Sequence, residues 1–494
     1  MKKFTGLVVI LAVLVLGSYY GMGYLTEQKI KESLNVINQS NGLAANVEQY
    51  KRGWFTSTAT FNWRLHIPQQ VIQSDGQPQT IPARDYSMRM PVTVYHGPII
   101  FSGRGIKFGL GYAYTDLSVP AEYMQQFNNL FTHESTKPTL AMSLFVNYLG
   151  TSSLDMSLPA FKLVAREGDA RFEWLGMSTS TSVSSDREKI GGNITIEGLN
   201  FSKDQIDTQM STVTSEYNIY KTAQGLLFGD ASLSFPSFVV MSHDKKLFEL
   251  GQFDLRSDSD IENGLYNSHL KTSVEKIIAN DQVYGPGSLE VAIRNLDADV
   301  LARLNEQARR VQQGTDVERQ RAMLAMLPEL PKLFSKGAEF EVTEMNFSMP
   351  QGTVEGSMMV SLPQGESGNP FELMQKIQGN GKLKMPAVVV KQLVTESIKQ
   401  KMMTPPAPQQ QVAQGTAQTQ AEGNSSSDVS PAQAAANSAD ISEQAVTLAD
   451  KQLATMVENG VLVKQGTDYI IELSLNQGQF TVNGKPFNPA MMNF

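Results

Sequence analysis

Leu233-Ser234-Phe235-Pro236 opens a stretch that continues as Ser237-Phe238-Val239-Val240-Met241-Ser242, turns at His243-Asp244-Lys245 and returns through Leu247-Phe248-Glu249-Leu250 to Gly251. Side chains along a strand point to opposite faces in turn, so Leu233 and Phe235 fall on one face and Ser234 on the other. Proline cannot donate to a ladder, which places Pro236 at a strand end or edge. The stretch therefore reads as strand, proline, strand, polar turn and apolar strand, an antiparallel hairpin unit. Met156–Gly176 has the same build, with its turn at Glu167-Gly168-Asp169, and Phe172-Glu173 stands where Phe248-Glu249 does. The likeness fits either an internal duplication or the common grammar of antiparallel hairpins.

The apolar-polar-apolar-proline ending is repeated along the chain. It stands at Leu65-His66-Ile67-Pro68, Met88-Arg89-Met90-Pro91, Leu117-Ser118-Val119-Pro120 and Met156-Ser157-Leu158-Pro159. Beyond Pro236 it returns at Phe347-Ser348-Met349-Pro350, Val360-Ser361-Leu362-Pro363 and Leu383-Lys384-Met385-Pro386. Unequal spacing excludes a strict solenoid. Many antiparallel strands leaving sheets at similar points is the simplest reading. Gly53–Ile67 adds a period-two segment with Phe61, Trp63 and Leu65, and the chain ends in a hairpin, Tyr469–Leu475 and Phe480–Val482, before the tight-turn pair Asn483-Gly484.

Helical spacing marks Ala121–Phe131, Leu296–Gln313, Asp316–Leu327 and Pro386–Met403, and a further helix from Ile441 with Val446, Leu453 and Val457. Thr404–Asp440 is rich in Gln, Ala, Ser, Pro and Asn, with Val412 and Val429 its only large apolar residues. Such a segment buries too little to offset chain entropy, and disorder is expected.

At the N-terminus, Phe4–Tyr24 carries no charge and Leu7–Leu16 is aliphatic throughout. A helix of about 20 apolar residues spans a bilayer core of roughly 30 Å. Lys2 and Lys3 favour a cytoplasmic N-terminus, and Tyr19, Tyr20 and Tyr24 suit the far interface. An uncleaved anchor and a cleaved signal peptide, using Gly21-Met22-Gly23, both fit. Gly17 and Gly21 have the spacing that lets two spanning helices approach. Thr26–Asn38 extends the helix with Ile30, Leu34 and Ile37 on one face and lifts the body off the surface.

The chain has 494 residues, a net charge of −8 and no cysteine. The acidic balance argues against nucleic acid and against broad adhesion to anionic lipid. The absence of thiols removes lipoprotein anchors and disulfides and suits an oxidising compartment. The expected fold is mainly β (α+β): a transmembrane helix over 1–25, then large curved antiparallel β-sheets with marginal helices. A β-rich region is expected over 26–295, a helical pair with strands and helix over 296–403, the low-complexity insertion over 404–440, and a helix and hairpin over 441–494.

Three places resemble the YdgA family of bacterial inner-membrane proteins. Tyr50-Lys51-Arg52-Gly53-Trp54-Phe55-Thr56-Ser57 is similar to that family's Tyr-x-Arg-Gly-x-Phe-Ser-Ser signature, and His96-Gly97-Pro98 to its His-Gly-Pro motif. Gly478–Phe487 is similar to its closing Gly-x-x-Thr-Val/Leu-Asn-Gly-Lys/Gln pattern. The resemblance covers nearly the whole chain, departing from the pattern at Thr404–Asp440. It implies an inner-membrane anchor, a periplasmic body and self-association, and it supplies no activity.

Chemistry is sparse. The five histidines, His66, His96, His133, His243 and His269, form no HExxH, and no thiolate site exists. Gly103–Gly109 has the wrong spacing for a dinucleotide loop. Asp258–Gly264 has its glycine one place late for a calcium loop, and reads as a hairpin turn. His96 reads as a turn histidine bonding local backbone, and Gly53 and Gly97 as points of positive φ or close approach. Arg52 with Trp54 and Phe55 reads as a partner-facing patch, a membrane-proximal anchor or an arginine–aromatic stack. The binding candidates are thus Arg52, Gly53, Trp54, Phe55, His96, Gly97 and Pro98, with no catalytic residue, metal or cofactor expected. The function these features favour is a non-enzymatic envelope protein acting through a surface or groove as a homodimer, in contact with an envelope protein or lipid. An acyl chain held on an apolar concave sheet is the main variant, and a hydrolase using dispersed carboxylates is the rival.

Overall fold

Period-two segments become strands in the structure, a computed structural model that describes residues 2–37, 43–67, 70–74, 77–313, 326–365, 375–403 and 431–487. It is mainly β, with antiparallel pairing in its sheets and a few helices. The chain divides into two units, Met1–Asp260 with Lys276–Asp281, and Ile261–Glu275 with Gln282–Phe494.

The first unit opens with α1 (Lys2–Ile37), one unbroken helix of 36 residues. There follow β1 (Leu43–Arg52), β2 (Thr56–Ile67), β3 (Gln70–Ser74), β4 (Gln77–Ile81), β5 (Arg84–His96), β6 (Ile100–Ser102), β7 (Gly105–Lys107) and β8 (Gly111–Ser118). After α2 (Met124–Leu130) come β9 (Thr139–Val146), β10 (Ser152–Leu158), β11 (Phe161–Val164), β12 (Arg171–Val183) and β13 (Lys189–Lys203). β14 (Ile206–Met210), β15 (Val213–Lys221), β16 (Leu227–Ser242) and β17 (Lys245–Glu262) complete the series. Antiparallel pairing runs β1–β2–β5–β8–β9–β10–β12–β13–β15–β16–β17. The hairpins β3–β4 and β6–β7 stand apart.

Long strands alternate with broken ones. β12 pairs with β11 along its first half and with β10 along its second, so Pro159 sits at the break between them. Likewise β13 takes β14 and β15 end to end. The prolines divide accordingly. Pro120, Pro159, Pro350 and Pro363 follow their strands, Pro386 closes one, and Pro68 lies outside the described residues. Pro91 and Pro236 instead lie inside β5 and β16. Pro236 falls where the partner of β16 changes from β15 to β14, and the pairing of β5 with β8 begins only at Thr93. At both positions one flank carries no ladder, so the missing N–H costs nothing there.

Under α1 lies an apolar core: Leu34 buries with Ala45, Ala59, Phe61, Met90, Val92 and Val94, and Ile30 packs against them. The helix expected over Thr26–Asn38 is thus the last part of α1, and its apolar face packs on the body. Among the described residues no helix is long and apolar enough to cross a membrane. The side chains of α1 through residue 14, which hold most of the aliphatic run Leu7–Leu16, are outside the description.

The second unit contains most of β18 (Leu265–Ala279), with β19 (Gln282–Tyr284), β20 (Gly287–Asp297), α3 (Ala298–Gln313), α4 (Leu330–Phe334), β21 (Glu339–Met349), β22 (Gly352–Ser361) and β23 (Gln378–Pro386). Then come α5 (Ala387–Met403), α6 (Pro431–Glu458), β24 (Val463–Gln465), β25 (Asp468–Asn476), β26 (Gln479–Val482) and β27 (Lys485–Pro486). Pairing runs β18–β20–β21–β22–β23–β25–β26–β27. Asp297 Oδ1 accepts from Val300 N at 3.0 Å, so the residue that ends β20 also caps α3. The helix expected over Asp316–Leu327 falls almost wholly outside the described residues, as does 404–430 of the low-complexity tract. α6 starts at Pro431, ten residues ahead of Ile441. Alanine is the strongest helix former and proline suits a first turn, so Pro431-Ala432-Gln433-Ala434-Ala435-Ala436 can be helical without large apolar residues.

α5 and α6 close over β23 and β25 through Val390, Leu453 and Leu462. Leu453 is 5% exposed. Leu453→Ala should cost about 2–5 kcal/mol, read as a lowered denaturant midpoint with unchanged slope.

Candidate functional site

The turn between β1 and β2 and the link after β5 meet α1 at one place, and they carry all seven positions singled out in the sequence. His96 is the centre, 1% exposed. Its Nδ1 lies 3.2 Å from Tyr19 O, and its Nε2 lies 3.0 Å from Ser57 Oγ. A carbonyl only accepts, so Nδ1 carries the proton and Nε2 accepts from the Ser57 hydroxyl. Burial pushes the His96 pKa below its ordinary value, and the Arg52 charge adds to this against the pull of the Tyr19 carbonyl. The imidazole is therefore neutral at neutral pH, and it ties β2, β5 and α1 together.

Two glycines make the approach feasible. A Cβ on Gly23 would come within 2.6 Å of the His96 ring. One on Gly97, where φ is +125°, would meet the Tyr19 ring at 2.0 Å. Gly53 holds a third tight point, since a Cβ there would lie 2.3 Å from Thr56 O. The Tyr19 hydroxyl donates to Ile99 O at 2.7 Å, and its ring meets Phe55 edge-on with centroids 4.8 Å apart. His96 N donates to Phe55 O at 3.1 Å, locking the two turns to each other. Pro98 offers its carbonyl to the Tyr148 hydroxyl.

Charge fastens the flank. Arg52 donates from Nη2 and Nε to Glu27 Oε2 at 2.8 and 3.1 Å. The Lys31 ammonium, bonded to the same carboxylate, and Arg52 hold the Glu27 pKa below its usual range. The guanidinium also sits over the Tyr20 and Tyr24 rings at 5.6 and 5.2 Å. Its aromatic partners are thus on α1. Trp54 and Phe55 remain 57% and 51% exposed, with Trp54 touching Tyr20. The Tyr50 hydroxyl is buried with no hydrogen-bond partner, and burial pushes its pKa up.

Arg52, Trp54, Phe55, His96 and Gly97 form a clamp on α1, and Gly53 and Pro98 shape the turns behind it. Ser57 and His96, each 1% exposed, are closed to a substrate as they stand. No cluster of three or more His, Asp or Glu that could hold a metal occurs among the described residues. Tyr19, Gly23, Glu27 and Ser57 complete the clamp, and sequence reading gave them other roles or none.

The chain matches, over residues 1–490, the model of a family described as bacterial protein of unknown function, DUF945. It belongs to that family. No curated protein and no solved structure matches it.

A second feature lies on the same sheet face that α1 covers. The paired row Met142, Met156, Thr179, Ile194, Ser215, Leu233 and Leu255 crosses β9 to β17. Beside it run Leu158, Met177, Ile196 and Val213, then the pair Phe235–Phe253. From β10 onward none of these side chains is buried, and Ile194 is 36% exposed. α1 packs mainly on β1, β5 and β8, and its core takes in Phe61 of β2 and Met142 of β9, so among the described residues the apolar face continues past the main contacts of the helix. The opposite face is polar: Asp155, Ser157, Ser178, Ser180 and Asn193 line a shallow recess of about 280 Å³ with Arg104 above.

Gly23→Val and Gly97→Val should each undock α1, seen as faster amide exchange over residues 19–34 while β12–β16 keep their protection. The clamp should also respond to pH. An unfolded histidine protonates near about 6.5, whereas buried His96 resists the proton, so clamp stability is full above about 6.5 and falls as the pH drops through the lowered folded value. The Glu27 contribution goes only at lower pH, below about 4.5. His96→Asn should remove the fall in protection of residues 19–34, taken relative to intrinsic exchange, that the native chain shows as the pH drops below about 6.5.

Proposed function

We propose that this chain is a single-pass protein of the bacterial inner membrane, anchored by the apolar start of α1 with its body in the periplasm. The body is a binding module without a catalytic step, and its ligand is an acyl chain laid across the uncovered face of β10 to β17.

The anchor reading rests on the uncharged run Phe4–Tyr24, on Lys2 and Lys3 before it, and on the resemblance to the YdgA family. The binding reading rests on one observation: an apolar face that continues past its covering helix. Exposed apolar surface of this extent on one side of a sheet marks an interaction site. Seven strands spaced by about 4.8 Å give the row from Met142 to Leu255 a length of roughly 29 Å. That is close to a full bilayer core and about twice one leaflet's hydrocarbon depth, so an acyl chain fits along it. The polar opposite face, rich in serine and threonine, has no such surface.

Native mass spectrometry of the full chain released from membranes tests this. Phospholipid adducts are expected on the native chain and should be lost in Leu233→Asp/Leu255→Asp, with circular dichroism unchanged. A lipid-free dimer that the same substitutions dissociate would overturn the acyl-chain reading and assign the face to a second copy.

A further inference from the structure

The clamp end of the first unit has a second property. Register pairs Thr56 with Tyr95, His96 with Gly111, Gly111 with Val146, and Ser152 with Val146. The links Gly53–Phe55, Gly97–Leu110 and Asn147–Thr151 therefore leave the sheet at one end. They also touch: His96 N bonds Phe55 O, Leu110 N bonds Val146 O, and the Tyr148 hydroxyl bonds Pro98 O.

Ile100 is buried beneath them, but five of their apolar side chains face outward. Trp54 is 57% exposed, Phe101 65%, Ile106 61%, Phe108 62% and Leu149 82%. The only charged residues on the three links are Arg104 and Lys107, both basic. Arg104 pairs with Asp116, and Lys107 lies over Tyr112 and Phe145.

α1 leaves through the same end. Leu34 lies in the core, Thr26 packs at Gly111, Gly23 at His96, and Tyr19 reaches Gly97 and Ile99. Contacts thus climb toward the links as the chain is followed back, and residues before Tyr19 continue outward past them. Val15 and Leu16, the last of the aliphatic run, are 43% and 44% exposed.

We propose that these three links seat the body in the headgroup layer of the bilayer that α1 enters, as a collar beside the helix. Tryptophan and phenylalanine with a basic side chain among them is the composition that favours a lipid interface. Lys107 adds a basic group at this end, while Asp116 holds Arg104 over the polar recess. A bilayer is the occupant because the aliphatic run of α1 emerges at the same level, leaving a protein partner to compete with lipid for that position. The inference rests on the anchor reading under Proposed function and adds a depth and an orientation to it.

The chain has no cysteine, so single-cysteine variants carry no background. Phe108→Cys and Leu149→Cys label the seat. Asp244→Cys labels the turn between β16 and β17, at the other end of β16 from its link to β15. Each full-length variant is labelled with a polarity-sensitive fluorophore and reconstituted in phosphatidylethanolamine/phosphatidylglycerol vesicles. Labels at 108 and 149 should shift to the blue and be quenched by lipids spin-labelled in the headgroup, while the label at 244 reports water. Water-exposed labels at both seat positions on a chain that still floats with vesicles would overturn the seat and leave the anchor standing. A chain that fails to float would overturn both.

Discussion

Everything near the N-terminus depends on a contact with no room for a methyl group. Gly23 and Gly97 bring α1 against the sheet so closely that the His96 ring fills the space between them. Burial there keeps the imidazole neutral, which lets one ring nitrogen donate to Tyr19 O while the other accepts from Ser57. A cation at this point would need a counter-charge inside the contact, and the Arg52 charge acts against one. The Arg52–Glu27–Lys31 chain therefore stays at the rim, where partial hydration makes ion pairs cheap and modest in strength.

The sheet of the first unit is one-sided. Phe61 and Val92 under α1, and Leu233 and Leu255 far from it, belong to one continuous apolar face. Among the described residues, a helix covers the beginning of that face. Globular proteins ordinarily bury such a face against a second layer. Here, among the described residues, Leu233 and Leu255 stay half-buried with no second layer over them, and Ser234 and Asp254 take the other side.

Much of the local structure was legible because it depends on neighbours in sequence. Asn483-Gly484 turns as expected, with φ of 49° and 75°, and Asn263-Gly264 does the same at the end of the Asp258 stretch. Helix positions were legible within a few residues, as at Ala387–Met403. Pro91 and Pro236 satisfy the edge alternative and not the strand end, because a single sequence does not show where a strand changes partners. The candidate motifs were found, but their role was not. Gly23 looked like part of a cleavage triplet, and nothing in the sequence links it to a histidine more than seventy residues away. Tyr19 likewise read as an interface residue, and only the fold shows its hydroxyl on Ile99 O.

The unbroken run of α1 from Lys2 to Ile37 has a mechanical consequence. At 1.5 Å per residue it is a rod of about 54 Å, fixed to the sheet from Tyr19 onward and interrupted by no proline. It is a mast and not a tether. Whatever holds its first turns sets the tilt and heading of the first unit, and neighbouring copies held the same way would carry their uncovered faces at one common height.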